Sequence, residues 1–329
     1  MAAVAPFRWQ DGERLIRFGR DALEEAPDLL DAGYVLLTTP RALAAAPALG
    51  ERAGAMHEVA PGRVDEVAAE LRPAVSGELL VALGGGRPID VAKALAAADP
   101  PRRVAAIPTT LSAAEMTGVH RHAAGVPADT PRVRPAIVLN DPALSASQPD
   151  EALAASAANA LGHAVEAPLT VLANPVATLS AHAAARLLAD GLFADPPDRD
   201  RLALGALLSG YAIGAAGYGL HHVMSQTAVR LAGVGHGPAN AILLPHTLRA
   251  LARRFPERVE KLAGALDDDP LSLAARVAER TGTVRLRDAG VPADRLATCA
   301  DAAAERFELG LTPPPADRAE LLAIYEAAW

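Results

Sequence analysis

Through the first 145 residues, apolar runs of strand length end one after another in turn residues. Tyr34–Thr38 gives way to Thr39-Pro40, Leu79–Leu83 to Gly84-Gly85-Gly86, Val104–Ile107 to Pro108-Thr109-Thr110, and Ala136–Leu139 to Asn140-Asp141-Pro142. Runs this short and this continuously apolar fit parallel strands buried on both faces. Between them Val64–Leu71 and Val91–Ala98 carry helical spacing, and the alternation predicts a parallel sheet covered by helices. From Pro149 the pattern changes. Ala, Leu and Glu dominate, and helical periodicity is broken only at Asp195–Asp200 and Gly233–Gly237 before Pro313-Pro314-Pro315 precedes a last helix, Ala316–Ala328. The expected organisation is an α/β domain over residues 1–145 and an all-helical domain over 146–329, with the active site in the cleft between them.

Composition narrows the range of functions. Thirty-one basic against 39 acidic side chains give a net charge of −8, which offers no basic stripe for nucleic acid. Aromatics are 3% of the chain, too few for a base-stacking platform. The single cysteine, Cys299, excludes an internal disulfide framework and a Cys-rich zinc site. No apolar stretch approaches the roughly 20 residues of a membrane span. The amino terminus has no leader-like apolar region, being interrupted by Asp11, Glu13 and Arg14. No signal peptide is expected, and the cytoplasm is the expected compartment.

Leu79–Lys93 places three glycines between a strand and a helix, with Pro88 in the first helical turn. Glycines let backbone approach an anion closely, and a helix start offers free N–H groups and the positive end of its dipole. A pyrophosphate is the natural ligand, although a tight α/β turn would look the same. Read this way, the first half is a nucleotide-binding domain.

The segment GGGRPIDVAK followed by IPTTLSAAEMTG resembles the iron-containing alcohol dehydrogenase superfamily. NDPALSASQPDEALAASAANALGHAVEA and HHVMSQTAVRLAGVGHGPANAILLPH are similar to two further blocks of that family, in the same order. Thr39-Pro40-Arg41, Glu115-Met116-Thr117, Asn159, the His221-His222 pair and the AELLAIYEAAW ending look most like maleylacetate reductases. The resemblance implies a dehydroquinate synthase-like architecture: a parallel-sheet dinucleotide-binding domain, a helical catalytic domain, and NADH or NADPH between them. By position, Gly84, Gly85 and Gly86 would hold the pyrophosphate, and Thr109 and Thr110 would line the nicotinamide side. Asp90 and Lys93 match the family's DxAK, and Arg87 stands where serine is common and is suited to pairing with a phosphate oxygen. Thr39 and Arg41, with no acidic residue after the first parallel strand, suit a 2′-phosphate and so make NADPH as plausible as NADH.

Asn159 and His163 are one helical turn apart, with Glu166 just beyond. In metal-dependent relatives the positions of Asn159, His163, His222 and His236 hold a divalent iron or zinc through one aspartate and three histidines. Here the first is a neutral amide. Divalent ions gain much of their affinity from a carboxylate, so no tightly bound metal is expected; were one present, these four residues would be its ligands. Many relatives carry a histidine at the position of Gln226, which cannot act as a general acid. His221 or His222 is then the expected proton source. His120 and Arg121 form a local basic cluster suited to recruiting a carboxylate.

The expected function is NAD(P)H-dependent reduction of a small oxo or enoyl carboxylate. Hydride would pass to a double bond conjugated to a carbonyl, and His163, His222 and His236 would stabilise charge on the substrate oxygen. Two alternatives stand beside it: a non-redox lyase, cyclase or isomerase on the same scaffold, favoured by Gln226 and Arg87, and a metal-dependent alcohol dehydrogenase. The expected partners are the small-molecule substrate and a second copy of the chain in a homodimer, with neither nucleic acid nor a membrane.

Overall fold

A computed structural model describes residues 4–329. Residues 1–3, part of the amino terminus read above as lacking a leader, lie outside the described residues. The chain divides into two compact units, one of residues 1–148 with 199–207 and one of residues 149–198 with 208–329. The change in periodicity places the boundary between residues 145 and 146. The return of Arg199–Leu207 to the first unit was not expected, because the helix containing it reads as one continuous pattern.

The first unit holds seven strands, β1 (Phe7–Asp11), β2 (Arg14–Phe18), β3 (Val35–Thr38), β4 (Ala55–Glu58), β5 (Leu79–Gly84), β6 (Arg103–Pro108) and β7 (Ile137–Asn140). They form one sheet in the order β1-β2-β7-β6-β5-β3-β4, parallel throughout except for the β1–β2 hairpin. The helices of this unit are α1 (Ala26–Leu29), α2 (Pro40–Ala45), α3 (Pro47–Glu51), α4 (Val64–Leu71) and α5 (Gly86–Ala98). Successive strand residues bury opposite faces. Leu80, Ala82, Val104 and Ala106 pack with Ile89, Ala92 and Leu95 of α5, while Val81, Leu83, Ala105 and Ile107 pack with Ala42 and Leu49. Burial on both faces explains why these strands read as unbroken apolar runs. β4 lies at one edge of the sheet and β5 beyond the opposite side of β3, so the strand order reverses between β3 and β5. Ligands of open α/β sheets lodge at the carboxyl ends of strands at such a reversal, and the glycine turn follows β5.

The second unit is helical: α6 (Asp150–Glu166), α7 (Pro175–Leu192), the latter part of α8 (Arg199–Ala216), α9 (Leu220–Ala232), α10 (His236–Arg254), α11 (Pro256–Leu266), α12 (Pro270–Arg280), α13 (Asp294–Ala304) and α14 (Arg318–Ala328). Among the described residues no single helix is long and apolar enough to cross a membrane.

Lys93, read above with the cofactor residues, has a structural role. Its side chain is 0% exposed and its ammonium pairs with Asp90 Oδ1 at 2.7 Å. It donates to the carbonyls of Ala114 (2.9 Å), Thr117 (3.2 Å) and Val119 (2.9 Å). Three donors meet three carbonyls and the charge meets Asp90, which leaves no hydrogen for a ligand. The strap that Lys93 fastens runs beside the glycine turn. Lys93→Ala is expected to lower stability by about 3–5 kcal/mol, the usual loss on breaking a buried ion pair, as a shift in the urea midpoint. A loss under about 1 kcal/mol would mean that the strap is held by other contacts.

Candidate active site

The glycine turn is built as a place for an anion. Gly84 has φ +154°, open to a residue without Cβ, and Gly85 is the N-cap of α5 with no side-chain cap. A Cβ on Gly85 would lie 3.1 Å from the Thr110 side chain, and one on Gly86 would lie 3.2 Å from Ser112. Only bare backbone fits between strap and helix. Thr109 N–H donates to Gly84 O at 2.9 Å, while its own hydroxyl oxygen is buried without a partner among the described residues. Thr110 is half-buried beside it and Arg87 is exposed. The uncapped N–H groups, the positive end of α5 and the orphaned hydroxyl fit a dinucleotide's pyrophosphate.

The other residues assigned to this side fare differently. Thr39 caps α2, its oxygen accepting from Ala42 N–H at 3.3 Å. Arg41 is exposed and donates to Ser147 Oγ at 3.5 Å. The basic cluster at His120 and Arg121 is not one. His120 is 5% exposed, accepts from Val133 N–H at Nε2 (3.2 Å) and donates from Nδ1 to Arg121 O (3.0 Å). Burial pushes it down to about 4, so it is neutral and ties its loop together. Arg121 is exposed and faces Asp65 at 3.9 Å.

In the helical unit the histidines come together. Asn159 and His163 lie on one face of α6, and His221 and His222 occupy the first turn of α9. The His163 and His222 rings stack at 4.7 Å and 14°, and His221 meets His222 edge-on at 4.8 Å. His236, exposed at the start of α10, donates from Nε2 to Asn159 Oδ1 at 3.2 Å.

Glu166 organises this arrangement, and its role was not foreseen. It is fully buried. Its carboxylate accepts His221 N–H at 2.7 Å and His222 N–H at 3.4 Å, which caps α9 from outside. It also accepts from His222 Nδ1 at 2.7 Å, leaving Nε2 as an acceptor that is buried and unpartnered among the described residues. The signal was present in the sequence, since residues 159, 163 and 166 share a helix face.

His221 is fully buried and donates from Nδ1 to Thr247 Oγ1 at 2.9 Å, while that hydroxyl donates to Leu243 O. Its expected part as a proton source therefore falls on a ring whose Nδ1 proton is held by Thr247. The ring fits only because residue 162 is glycine; a Cβ there would lie 2.6 Å from His221 Nε2. Burial pushes His221 and His222 each down to about 3 and His163 well below the ordinary imidazole value. All three rings are neutral at pH 7. Gln226 is half-buried, its Oε1 accepting from Arg306 Nη2 at 3.2 Å.

The donor set does not fit a divalent metal. Asn159 brings no charge, its oxygen and His236 Nε2 are bonded to each other, and Glu166 is turned to His222 Nδ1. Among the described residues no three His, Cys, Asp or Glu side chains are grouped as around an ion.

Gly162→Ala is expected to lose about 1–2 kcal/mol, overpacking outweighing the better helix propensity of alanine; a higher urea midpoint would show that the His221 ring has room. The two lowered histidines also fix a pH dependence. Unfolded imidazoles take up protons below about 6.5 while the folded ones stay neutral, so stability falls as pH drops from 6.5 towards 3. Denaturation midpoints should decline between pH 6.5 and 5, and a flat profile there would contradict the neutral cluster.

Comparison with known proteins agrees with this geometry. Residues 153–329 match the profile described as Fe-containing alcohol dehydrogenase family, C-terminal. Maleylacetate reductase 2 of Cupriavidus pinatubonensis is 35% identical over 231 residues, covering 66% of this chain and 64% of that protein. The maleylacetate reductase of Pseudomonas aeruginosa is 30% identical over 337 residues, covering 95% of this chain and 94% of that one. The crystal structure of maleylacetate reductase from Agrobacterium tumefaciens superposes with a TM-score of 0.83 at 27% identity, covering 99% of both chains. With a glycine turn suited to a dinucleotide, a helical unit matched by the family profile and a full-length relative at 30% identity, the chain belongs to the iron-containing alcohol dehydrogenase family and is an NAD(P)-dependent oxidoreductase.

Proposed function

We propose that this protein reduces a small enoyl or oxo carboxylate, of the class to which maleylacetate belongs, with NAD(P)H and without a resident metal. The observation that carries the reading is the histidine–asparagine cluster. It keeps the family's three imidazoles together around a neutral amide, with the buried carboxylate beside them, Glu166, engaged in capping α9. The relatives named maleylacetate reductase support the same substrate class.

In this reading Gly84, Gly85, Gly86 and the first N–H groups of α5 hold the pyrophosphate. Arg87 and Arg41, both exposed, are the side chains available to further phosphate oxygens, and Arg41 is the one suited to a 2′-phosphate. When bound, the reduced nicotinamide supplies the hydride. His163, His222 and His236 form the polar floor for the substrate. Neutral rings add no charge of their own, and a carboxylate brought beside them raises their affinity for protons. Glu166 fixes which nitrogen of His222 faces the substrate: Nε2, an acceptor while the ring is neutral and a donor once it takes up a proton. Gln226 is a hydrogen-bonded member of the α9 wall.

Oxidation of NADH and NADPH with maleylacetate and with simple aldehydes, followed by absorbance, tests this proposal. The expected result is turnover with the enone dicarboxylate that survives dialysis against a chelator, and a loss of about 100-fold in kcat for His222→Ala. Asn159→Asp should gain zinc binding measurable by calorimetry. Turnover abolished by the chelator, or confined to alcohols and aldehydes, would overturn the reading.

A further inference from the structure

Reduction of an enone needs a proton as well as a hydride, and His221 and His222 are badly placed to give one. His221 is buried with its Nδ1–H on Thr247. His222 carries its proton toward Glu166 and presents an acceptor. Gln226 has no acidic proton.

A tyrosine stands next to them. The Tyr218 ring lies 5.9 Å from that of His222, tilted by 58°, and is half-buried. Its O–H donates to Glu308 Oε1 at 3.0 Å, and the phenol oxygen accepts from Arg306 Nη2 at 3.2 Å. Arg306 pairs with Glu308 at two points, Nε to Oε2 at 2.9 Å and Nη2 to Oε1 at 2.7 Å. The same Nη2 reaches Gln226 Oε1 at 3.2 Å. Nη2 has two hydrogens for three acceptors, so one is shared between Tyr218 and Gln226. Arg306 thus neutralises Glu308, holds Gln226 and places positive charge on the phenol oxygen. Burial and Glu308 hold the phenol above its ordinary value, and the Arg306 guanidinium works against them, favouring the phenolate left when the proton departs.

Resting on the reductase reading above, we propose that Tyr218 is the catalytic proton donor of the reduction, with Arg306 and Glu308 as its positioning residues. The β-carbon of the enone takes up a hydride, and the π pair moves to give the enolate. The Tyr218 hydroxyl, which unlike a ring N–H rotates about its C–O bond, turns from Glu308 to the substrate, and its O–H bond breaks as the proton bonds to the α-carbon. The phenolate retains the bonding pair beside Arg306 and regains a proton from water. One hydride and one proton are consumed, the substrate double bond is reduced and the nicotinamide is oxidised.

The test compares the wild type, Tyr218→Phe and Arg306→Lys, each with NAD(P)H and maleylacetate in deuterated water. Tyr218→Phe is expected to lower kcat about 100-fold with KM changed less than about threefold. Its residual product should carry deuterium on both faces of the α-carbon, where the wild type labels one. Arg306→Lys keeps a cation near the phenol and is expected to retain kcat within about tenfold. Fluorotyrosine at position 218 preserves the packing and should move kcat with phenol acidity, a result that does not depend on the Phe variant folding. A Tyr218→Phe enzyme with wild-type kcat and one-face labelling, or a kcat unmoved by fluorination, would overturn the proposal while leaving the reductase reading intact. A wild type that oxidises no nicotinamide would overturn both.

Discussion

One buried carboxylate sets the geometry of the helical unit's site. Burial raises the Glu166 carboxyl above its ordinary value, while the start of α9 gives it backbone N–H groups and the positive end of a helix dipole. Its contacts with the N–H groups of His221 and His222 fix α9 against α6, and its bond to His222 Nδ1 fixes a ring as well. A helix cap and the orientation of a catalytic side chain are here the same interaction. Thr312 accepts the preceding N–H, from Leu220, and Gly162 leaves the space that the His221 ring fills.

The two units answer charge in different ways. At the glycine turn the backbone itself offers positive potential, and Lys93 is withdrawn into the protein to hold the strap in place. In the histidine cluster every buried ring is neutral and an amide stands where a carboxylate would attract a cation. Such a floor relies on hydrogen-bond direction, set by the Glu166 carboxylate on His222 Nδ1, and the Arg306–Glu308 pair holds the neighbouring Tyr218. Gln226 belongs to that pair's network through Arg306 Nη2.

Much of this was legible in the sequence, and the exceptions have physical reasons. β5 and β6 were evident because burial on both faces erases alternation. The β1–β2 hairpin was missed although Asp11-Gly12 marks its turn, because its short strands alternate and its outer face is polar. The glycine turn and the histidines announced themselves by spacing, since each lies on a single local element or a recognisable block. His120 misled because a basic cluster in sequence says nothing about burial, and Lys93 because its partners are backbone carbonyls with no sequence signature. Tyr218, Arg306 and Glu308 come from segments far apart along the chain and meet only through the packing of α9 against the turn after α13.

The central claim is that His222 is neutral, with its proton on Nδ1 and directed at Glu166. Nitrogen-15 NMR of selectively labelled histidine reads ring charge and tautomer directly, and a Glu166→Ala sample assigns the coupling. The account predicts a neutral Nδ1–H signal for His222 from pH 8 down to 5, lost or converted when Glu166 is removed. A charged imidazolium at neutral pH, or a proton on Nε2 in the intact protein, would contradict it.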